Sequence, residues 1–392
     1  MSSQSEYIHA VLCRELERIR RYPMLSTLLV ILPVLSFAFF SLFFSQGVPR
    51  NIPVAVLDRD NSALSRKLVS MIDATPAALV SYEVQDMDEG ERMVREGRVS
   101  AVVSIPRDFE KNILSNVQTG VEAYISGLNI SANGMLSKDI QTAVTTFSAG
   151  IQIQILMKQG MSEQQAYVQM MPVSFDKHVL FNPYVNYGYY LLPSFLPMML
   201  MIFAVMSSVF AIGMELKRST AGEWFAAAGG NAFAAMTGKL APYTTVLVLM
   251  LLLMNTIMYK WIGVPLNGSL ALLTVAGILF ILAYQSIGVM MISVLGNLRL
   301  SLSLGGGYSV LAFTFSGLTF PMMAMNHVSQ GLSRIFPFTY YTEIFVDQAM
   351  RGAPAVRSML PLLILALFVL LPLLCLPRLK TVATDSRYWG KL

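Results

Sequence analysis

Histidine and cysteine are nearly absent from this chain, with three of the first and two of the second in 392 residues. His9, His178 and His327 lie too far apart in sequence to suggest a protein-only zinc site, which gathers N and S ligands at close spacing. Cys13 and Cys375 stand near opposite ends, so no structural disulfide is expected. Charge is scarce as well: Asp, Glu, Lys and Arg make up 13% of the residues, against roughly 25% in an ordinary soluble domain. A phosphate-binding loop is also missing. The internal Gly238-Lys239 pair is followed by Leu240, and Phe233 stands five positions before Gly238, so no Gly-x-x-x-x-Gly-Lys-Ser/Thr cradle can form. The net charge of +5 does not argue for nucleic acid, because the excess cations sit in short segments between apolar runs.

What charge there is lies unevenly. Residues 46–187 hold 12 of the 28 Lys and Arg and 15 of the 23 Asp and Glu. Outside that stretch run six apolar segments, 24–45, 189–214, 240–259, 269–295, 302–321 and 358–377. Each has about the length that a helix rising 1.5 Å per residue needs to cross a hydrocarbon core of ~30 Å. The expectation is an α-helical polytopic membrane protein with six transmembrane helices and an α/β extracytoplasmic domain inserted after the first span. Its parts are an amphipathic helix at 1–23, the first span at 24–45, the inserted domain at 46–187, spans two to six within 188–377 with a cytoplasmic loop at 215–239, and a tail at 378–392. The first run exceeds a signal-peptide core and no Ala-x-Ala site follows it, so it reads as a retained signal anchor.

Charge asymmetry sets the expected orientation. One set of flanking segments contains Arg14, Arg18, Arg20, Arg21, Lys217, Arg218, Lys239, Arg299, Arg378, Lys380, Arg387 and Lys391; the other contains Lys260, Arg334, Arg351 and Arg357. By the positive-inside rule both termini are cytoplasmic and 46–187 is outside. Before the first span, Ile8, Leu12, Leu16 and Ile19 recur at helical spacing with Arg14, Glu17, Arg18 and Arg21 opposite them. That pattern describes an amphipathic helix along the inner membrane surface.

In the insert, 53–57, 78–84, 101–105 and 121–126 read as strands, and 64–72, 86–98, 108–114 and much of 131–171 as helices. Asp58 and Asp60 at a strand end are read as turn formers rather than a catalytic or metal pair. His178, beside Asp176 and Lys177, lacks a neighbouring nucleophile and reads as a solvated face. No catalytic, cofactor or metal site is expected. Glu343, Asp347 and Arg351, spaced by four, read as the charged face of a short interfacial helix.

Several segments, in order, resemble the permease subunits of type-2 ABC exporters, in the branch with a large external domain between the first and second spans. They are Ile52-Pro53-Val54-Ala55-Val56-Leu57-Asp58 with Asp60, Ser62, Leu64 and Ser65; Ile105-Pro106 with Asp108-Phe109-Glu110; Phe181-Asn182-Pro183; Glu215, Thr220, Glu223 and Gly238-Lys239; Val264-Pro265 with Gly268-Ser269; and Ser316-Gly317 with Phe320-Pro321. Ser219-Thr220 departs from the usual Gly-Thr, and Met325-Asn326 from the usual Met-Pro.

The resemblance implies an inner-membrane efflux subunit, working as a dimer of permeases, with ATP and Mg²⁺ on a separate cytoplasmic ATPase. A periplasmic adaptor and outer-membrane channel would fit a double-membraned host. Glu215, Arg218, Glu223, Trp224 and Phe225 are the expected ATPase-coupling residues, with the two aromatics docking into an ATPase groove. Asn255, Gln285, Gly306, Ser316 and Gly317 are candidates for the translocation path or dimer interface. Met198, Met199, Met201 and Met206 would suit a hydrophobic or amphipathic cargo. The alternative is a membrane-anchored receptor or scaffold whose external domain binds a ligand or partner. It would need a signalling domain, which the 15 residues after Pro377 do not supply.

Overall fold

The computed structural model describes residues 4–45, 47–115, 117–171, 181–182, 186–318 and 320–390. His178 with its neighbours, and Pro183, lie outside the described residues. The chain divides into two compact units, one made of Met1–Gly47 with Val179–Leu392, the other of Val48–His178.

The first unit opens with α1 (Gln4–Arg21), α2 (Pro23–Ser26), a π-type turn over Thr27–Ile31, and α3 (Leu32–Phe43).

The inserted unit follows as β1 (Ile52–Asp58), α4 (Ala63–Asp73), β2 (Ala78–Glu83), α5 (Met87–Arg95), β3 (Ala101–Ile105), α6 (Phe109–Leu114), β4 (Glu122–Ile125), α7 (Ile130–Lys158) and α8 (Glu163–Met170). The strands form one sheet in the order β2-β1-β3-β4; β1 is parallel to β2 and β3, and β4 is antiparallel to β3. Alternation along the central strands gives the sheet two buried faces. Val54, Val56, Val103 and Ile105 meet Leu68 and Ile72 of α4 and Leu136, Ile140 and Phe147 of α7. Ala55, Leu57 and Val102 meet Met93 of α5. Of the stretch 131–171 expected to be largely helical, α7 runs unbroken to Lys158.

The first unit resumes with α9 (Tyr187–Lys217), α10 (Ala221–Ala227), α11 (Ala232–Thr256), α12 (Leu270–Leu295), α13 (Leu298–Thr314), α14 (His327–Ser333), α15 (Pro337–Phe345), α16 (Met359–Val369) and α17 (Leu371–Thr384). Helix α9 is central, packed against α12, α13 and α3, while α1 lies along α11. Gly288 is the crossing point of α12 on α9, where an added Cβ would stand 2.8 Å from the Val205 carbonyl oxygen. The methionines of α9 lie in this packing: Met201 is fully buried, and Met198 and Met199 are partly covered.

Among the described residues, four helical runs are long and apolar enough to cross a bilayer: Tyr187–Lys217, Ala232–Ile262, Leu270–Leu295 and Ala355–Thr384. This is fewer than the six expected. The apolar part of the first segment, Thr27–Phe43, has 17 residues, as does α13. At 1.5 Å per residue each covers only ~25 Å. The fifth apolar stretch was expected to stay helical to 321, but α13 ends at Thr314 and Gly317 follows with φ +84, a left-handed turn that glycine adopts without strain. Ser316 and Gly317 therefore lie in a turn, and the three consecutive glycines Gly305, Gly306 and Gly307 sit inside an unbroken helix, with Gly305 placed against Val205 of α9.

Candidate functional site

Among the described residues, three of the four buried charged side chains meet in one place, where α1, the end of α9, the start of α10 and the start of α11 come together. Lys239, in the second turn of α11, and Glu215, near the end of α9, are both fully buried, and Glu15 of α1 is 1% exposed. The Lys239 ammonium donates to Glu15 Oε2 at 2.5 Å and to Glu215 Oε1 at 2.8 Å. Arg14 forks onto both oxygens of Glu215, at 2.7 and 3.1 Å. Arg18 donates to Glu215 Oε1 at 2.7 Å and to the Ala211 carbonyl at 3.1 Å. The Thr220 hydroxyl donates to Glu215 Oε2, and the Tyr243 hydroxyl to Glu15 Oε1 at 2.6 Å.

Three cations thus face two carboxylates. Glu223 of α10, whose side chain is 75% exposed, stands 3.8 Å from Arg14 and balances the excess at the rim. Charges taken out of water are tolerated only when their hydrogen-bonding positions are filled, and here both carboxylates have several donors.

An apolar layer backs the ions. Trp224 of α10 is fully buried; its ring centroid lies 5.1 Å from the Lys239 ammonium and its indole N–H donates to the Ala235 carbonyl at 3.1 Å. Phe225 meets it edge-on at 5.2 Å. Val11, Leu216, Ala234 and Leu379 complete the packing. Trp224 and Phe225, expected to dock into an ATPase groove, are buried within this chain, at 0% and 2% exposure. What α10 leaves exposed is Glu223 and Ala226.

The other expected coupling residues divide. Glu215 is the centre of the cluster. Arg218 stacks over Tyr22 with its guanidinium carbon 3.9 Å from the ring centroid, away from Glu223. Sequence reasoning passed over Glu15 and Tyr243, used Lys239 only for orientation and resemblance, and placed Arg14 and Arg18 on the polar face of an amphipathic helix. The available signal was an acid at the end of one apolar helix and a lysine at the start of the next, facing Arg14, Glu15 and Arg18 in a single turn of α1.

The candidates for a path or interface do not come together. Asn255 is buried in α11, its amide nitrogen without a hydrogen-bond partner. Gln285 on α12 accepts from Thr244. Gly306 faces Met206 of α9. Ser316 and Gly317 border a recess of about 480 Å³ with Arg334, Glu343, Asp347, Arg351 and Arg357. In it Glu343 pairs with Arg334 at 2.7 Å rather than with its own helix, while Asp347 pairs with Arg351 at 3.0 Å.

In the inserted unit, Asp58 accepts from the backbone N–H of Asp60 and Asn61 and from the Ser65 hydroxyl, and Asp60 accepts from the N–H of Phe109 and Glu110. These are turn and capping roles. Desolvation pushes the Asp60 carboxyl upward, but hydrogen bonds from Ser62 and from the first amides of α6 hold it below its ordinary value.

The ionic cluster engages the hydroxyls of Thr220 and Tyr243 and the Lys239 ammonium in hydrogen bonds to its own two carboxylates. Its arrangement ties four segments into one body, which is a mechanical rather than a chemical capability. The chain matches the ABC-2 family transporter protein model over residues 24–376. It is 23% identical over 313 residues to the inner membrane transport permease YhhJ of Escherichia coli (strain K12), covering 77% of each chain, and matches the YhhJ of Shigella flexneri to the same extent. A set of apolar helices built around α9, a charge-tied α10 between two of them, and a family match over most of the length lead to one conclusion: this chain belongs to the ABC-2 family of transporter proteins.

Proposed function

We propose that the chain is the transmembrane permease subunit of an ATP-driven exporter. A separate cytoplasmic ATPase, which holds ATP and Mg²⁺, drives it through α10. The observation that carries this reading is the buried ion cluster: a push on the exposed face of α10 reaches α9 through Glu215 and α11 through Trp224 and Lys239, and α1 through Arg14. A tied body of this kind transmits displacement because packed interfaces shift between discrete arrangements rather than deforming continuously.

In this reading the 17-residue segments complete six spans by local thinning of the bilayer or with help from their flanking turns, each at modest cost. Both termini are cytoplasmic, the protein sits in the inner membrane, and 46–187 lies outside. A second permease completes the pathway; cargo is hydrophobic or amphipathic and moves outward. A periplasmic adaptor and an outer-membrane channel are compatible partners for the inserted unit.

The test is affinity purification of the full chain in mild detergent, with co-purifying proteins identified by mass spectrometry. Wild type should bring down a Walker-type ATPase. Glu223→Arg, at the exposed rim of α10, should reduce that yield severalfold while the permease itself remains folded. Recovery of no ATPase with wild type would count against the coupling reading.

A further inference from the structure

Away from the ion cluster, α11, α12 and the α16–α17 break enclose a groove of about 680 Å³. Its walls are apolar, among them Leu240, Val248, Leu282 and Val369. Its rim is open, with Phe233 39%, Leu249 55%, Leu370 52% and Leu373 44% exposed. Against these stands one polar anomaly. Gln285 lines the groove, is 2% exposed, and its amide nitrogen is buried without a hydrogen-bond partner. The other polar groups nearby are satisfied: Ser286 donates to the Val369 carbonyl at 3.2 Å, and Thr244 has both Gln285 Oε1 at 2.8 Å and the Leu240 carbonyl at 3.0 Å.

A buried donor without an acceptor is costly, and in hydrocarbon no water is at hand to relieve it. An apolar trough with one unpartnered amide NH2 selects a molecule with a long apolar body and an acceptor oxygen. The geometry adds length and depth. The α11 residues that line the groove run from Phe233 to Leu249, ~24 Å along the helix. Thr244, which fixes the level of Gln285, is five residues from Lys239. That is ~7.5 Å of rise, comparable to the ~5–7 Å polar layer on each side of a bilayer core.

We propose that this groove binds an acyl chain of a membrane phospholipid, whose ester carbonyl accepts from the Gln285 amide. The terminal torsion of glutamine is soft, and Thr244 keeps the Leu240 carbonyl as an alternative acceptor, so the amide can swing toward the groove without stranding the hydroxyl. A second copy of the chain is the poorer occupant, because a two-fold contact sets the same concave face against itself and leaves the trough empty. The inference rests on the chain lying in a membrane but not on ATP coupling or direction of transport.

The test uses the full chain in phosphatidylethanolamine–phosphatidylglycerol vesicles doped with a phospholipid carrying a diazirine on its acyl chain. After irradiation, adducts are mapped by mass spectrometry. Labelling should concentrate severalfold on 240–249 and 369–373 over the exposed Leu360, Leu363 and Leu367 of α16. An ester-linked probe should exceed an ether-linked probe in the groove by about fivefold, as expected for one hydrogen bond. Gln285→Leu should abolish that difference, and Ala241→Phe, which fills the trough, should remove groove labelling by both probes. Groove labelling no higher than on α16, equal labelling by the two probes in wild type, or protection accompanied by cross-links between copies would each overturn the proposal. ATPase co-purification is read separately, so its failure would not be confused with failure here.

Discussion

At the scale of single residues the cluster is governed by desolvation. Lys239 and Glu215 have no contact with water, so each depends on partners for its charge. Glu215 is over-supplied, with Arg14, Arg18, Thr220 and Lys239 converging on it. Glu15 is not: without Lys239 it keeps the Tyr243 hydroxyl and an Arg18 nitrogen at 3.5 Å. Lys239→Met should therefore cost about 3–5 kcal/mol, the usual consequence of leaving a buried charge without its partner. The double variant Lys239→Met with Glu15→Gln removes the pair rather than half of it, and should recover most of that loss. Thermal unfolding of the detergent-solubilised protein measures both, and Trp224 beside Lys239 supplies a local fluorescence reporter. Additive losses in the double variant would show that the two groups are not coupled.

Among the elements, α1 shows best what the sequence makes legible and what it does not. Its helical period and its apolar stripe are plain in the spacing of Ile8, Leu12, Leu16 and Ile19, of which Leu16 is 50% exposed while Ile8 and Ile19 pack inward. What covers the inward side is hidden. Val11 and Glu15 are buried against α11, and Arg14 reaches a partner 201 residues away. Periodicity reports which residues share a face, but not what covers that face; a cation near an apolar helix looks the same whether it sets topology or closes an ion pair. The strands and helices of the inserted unit were readable for the complementary reason, since their signals are local: alternation, an Asp or Ser cap, a Pro after β3. The short α13 was not, because hydropathy continues past Thr314 while the backbone turns.

The contact of α1 with α11 also yields a sharp test. Gly238 is where the two helices cross, and a Cβ there would lie 2.6 Å from the Ile8 carbonyl oxygen and 2.8 Å from Val11 Cβ. One of those atoms is backbone, so side-chain rotation cannot relieve the clash. Gly238→Ala should displace α1 at a cost of about 1–3 kcal/mol, in the range of other overpacked sites. Limited trypsin digestion should then cut faster at Arg14, Arg18, Arg20 and Arg21, while the cleavage pattern within 48–178 stays unchanged. An unaltered rate at α1 would mean that the crossing is looser than its geometry indicates.

For the whole molecule, composition and connectivity converge on a division of labour. The unit at 48–178 carries its own two-faced core. The other unit exposes large apolar side chains along α3 and α16, such as Phe39 at 59% and Leu363 at 59%, which only a hydrocarbon environment accommodates at low cost. Which side of the bilayer receives the soluble unit then depends on flanking cations, since long polar segments translocate largely regardless of their own charge. The bias toward α1, the α9–α11 connection and the tail predicts that 48–178 faces away from the cytoplasm. The cysteine scarcity makes this measurable. Cys13 on α1 is exposed and marks the side on which the proposed topology places α1, while Leu128, 96% exposed ahead of α7, can be replaced by cysteine without touching either core. In cells whose cytoplasmic membrane is intact and accessible from outside, an impermeant maleimide should label Leu128→Cys and leave Cys13 unlabelled until that membrane is opened. The reverse pattern would invert the topology, and with it the side from which an ATPase could reach α10.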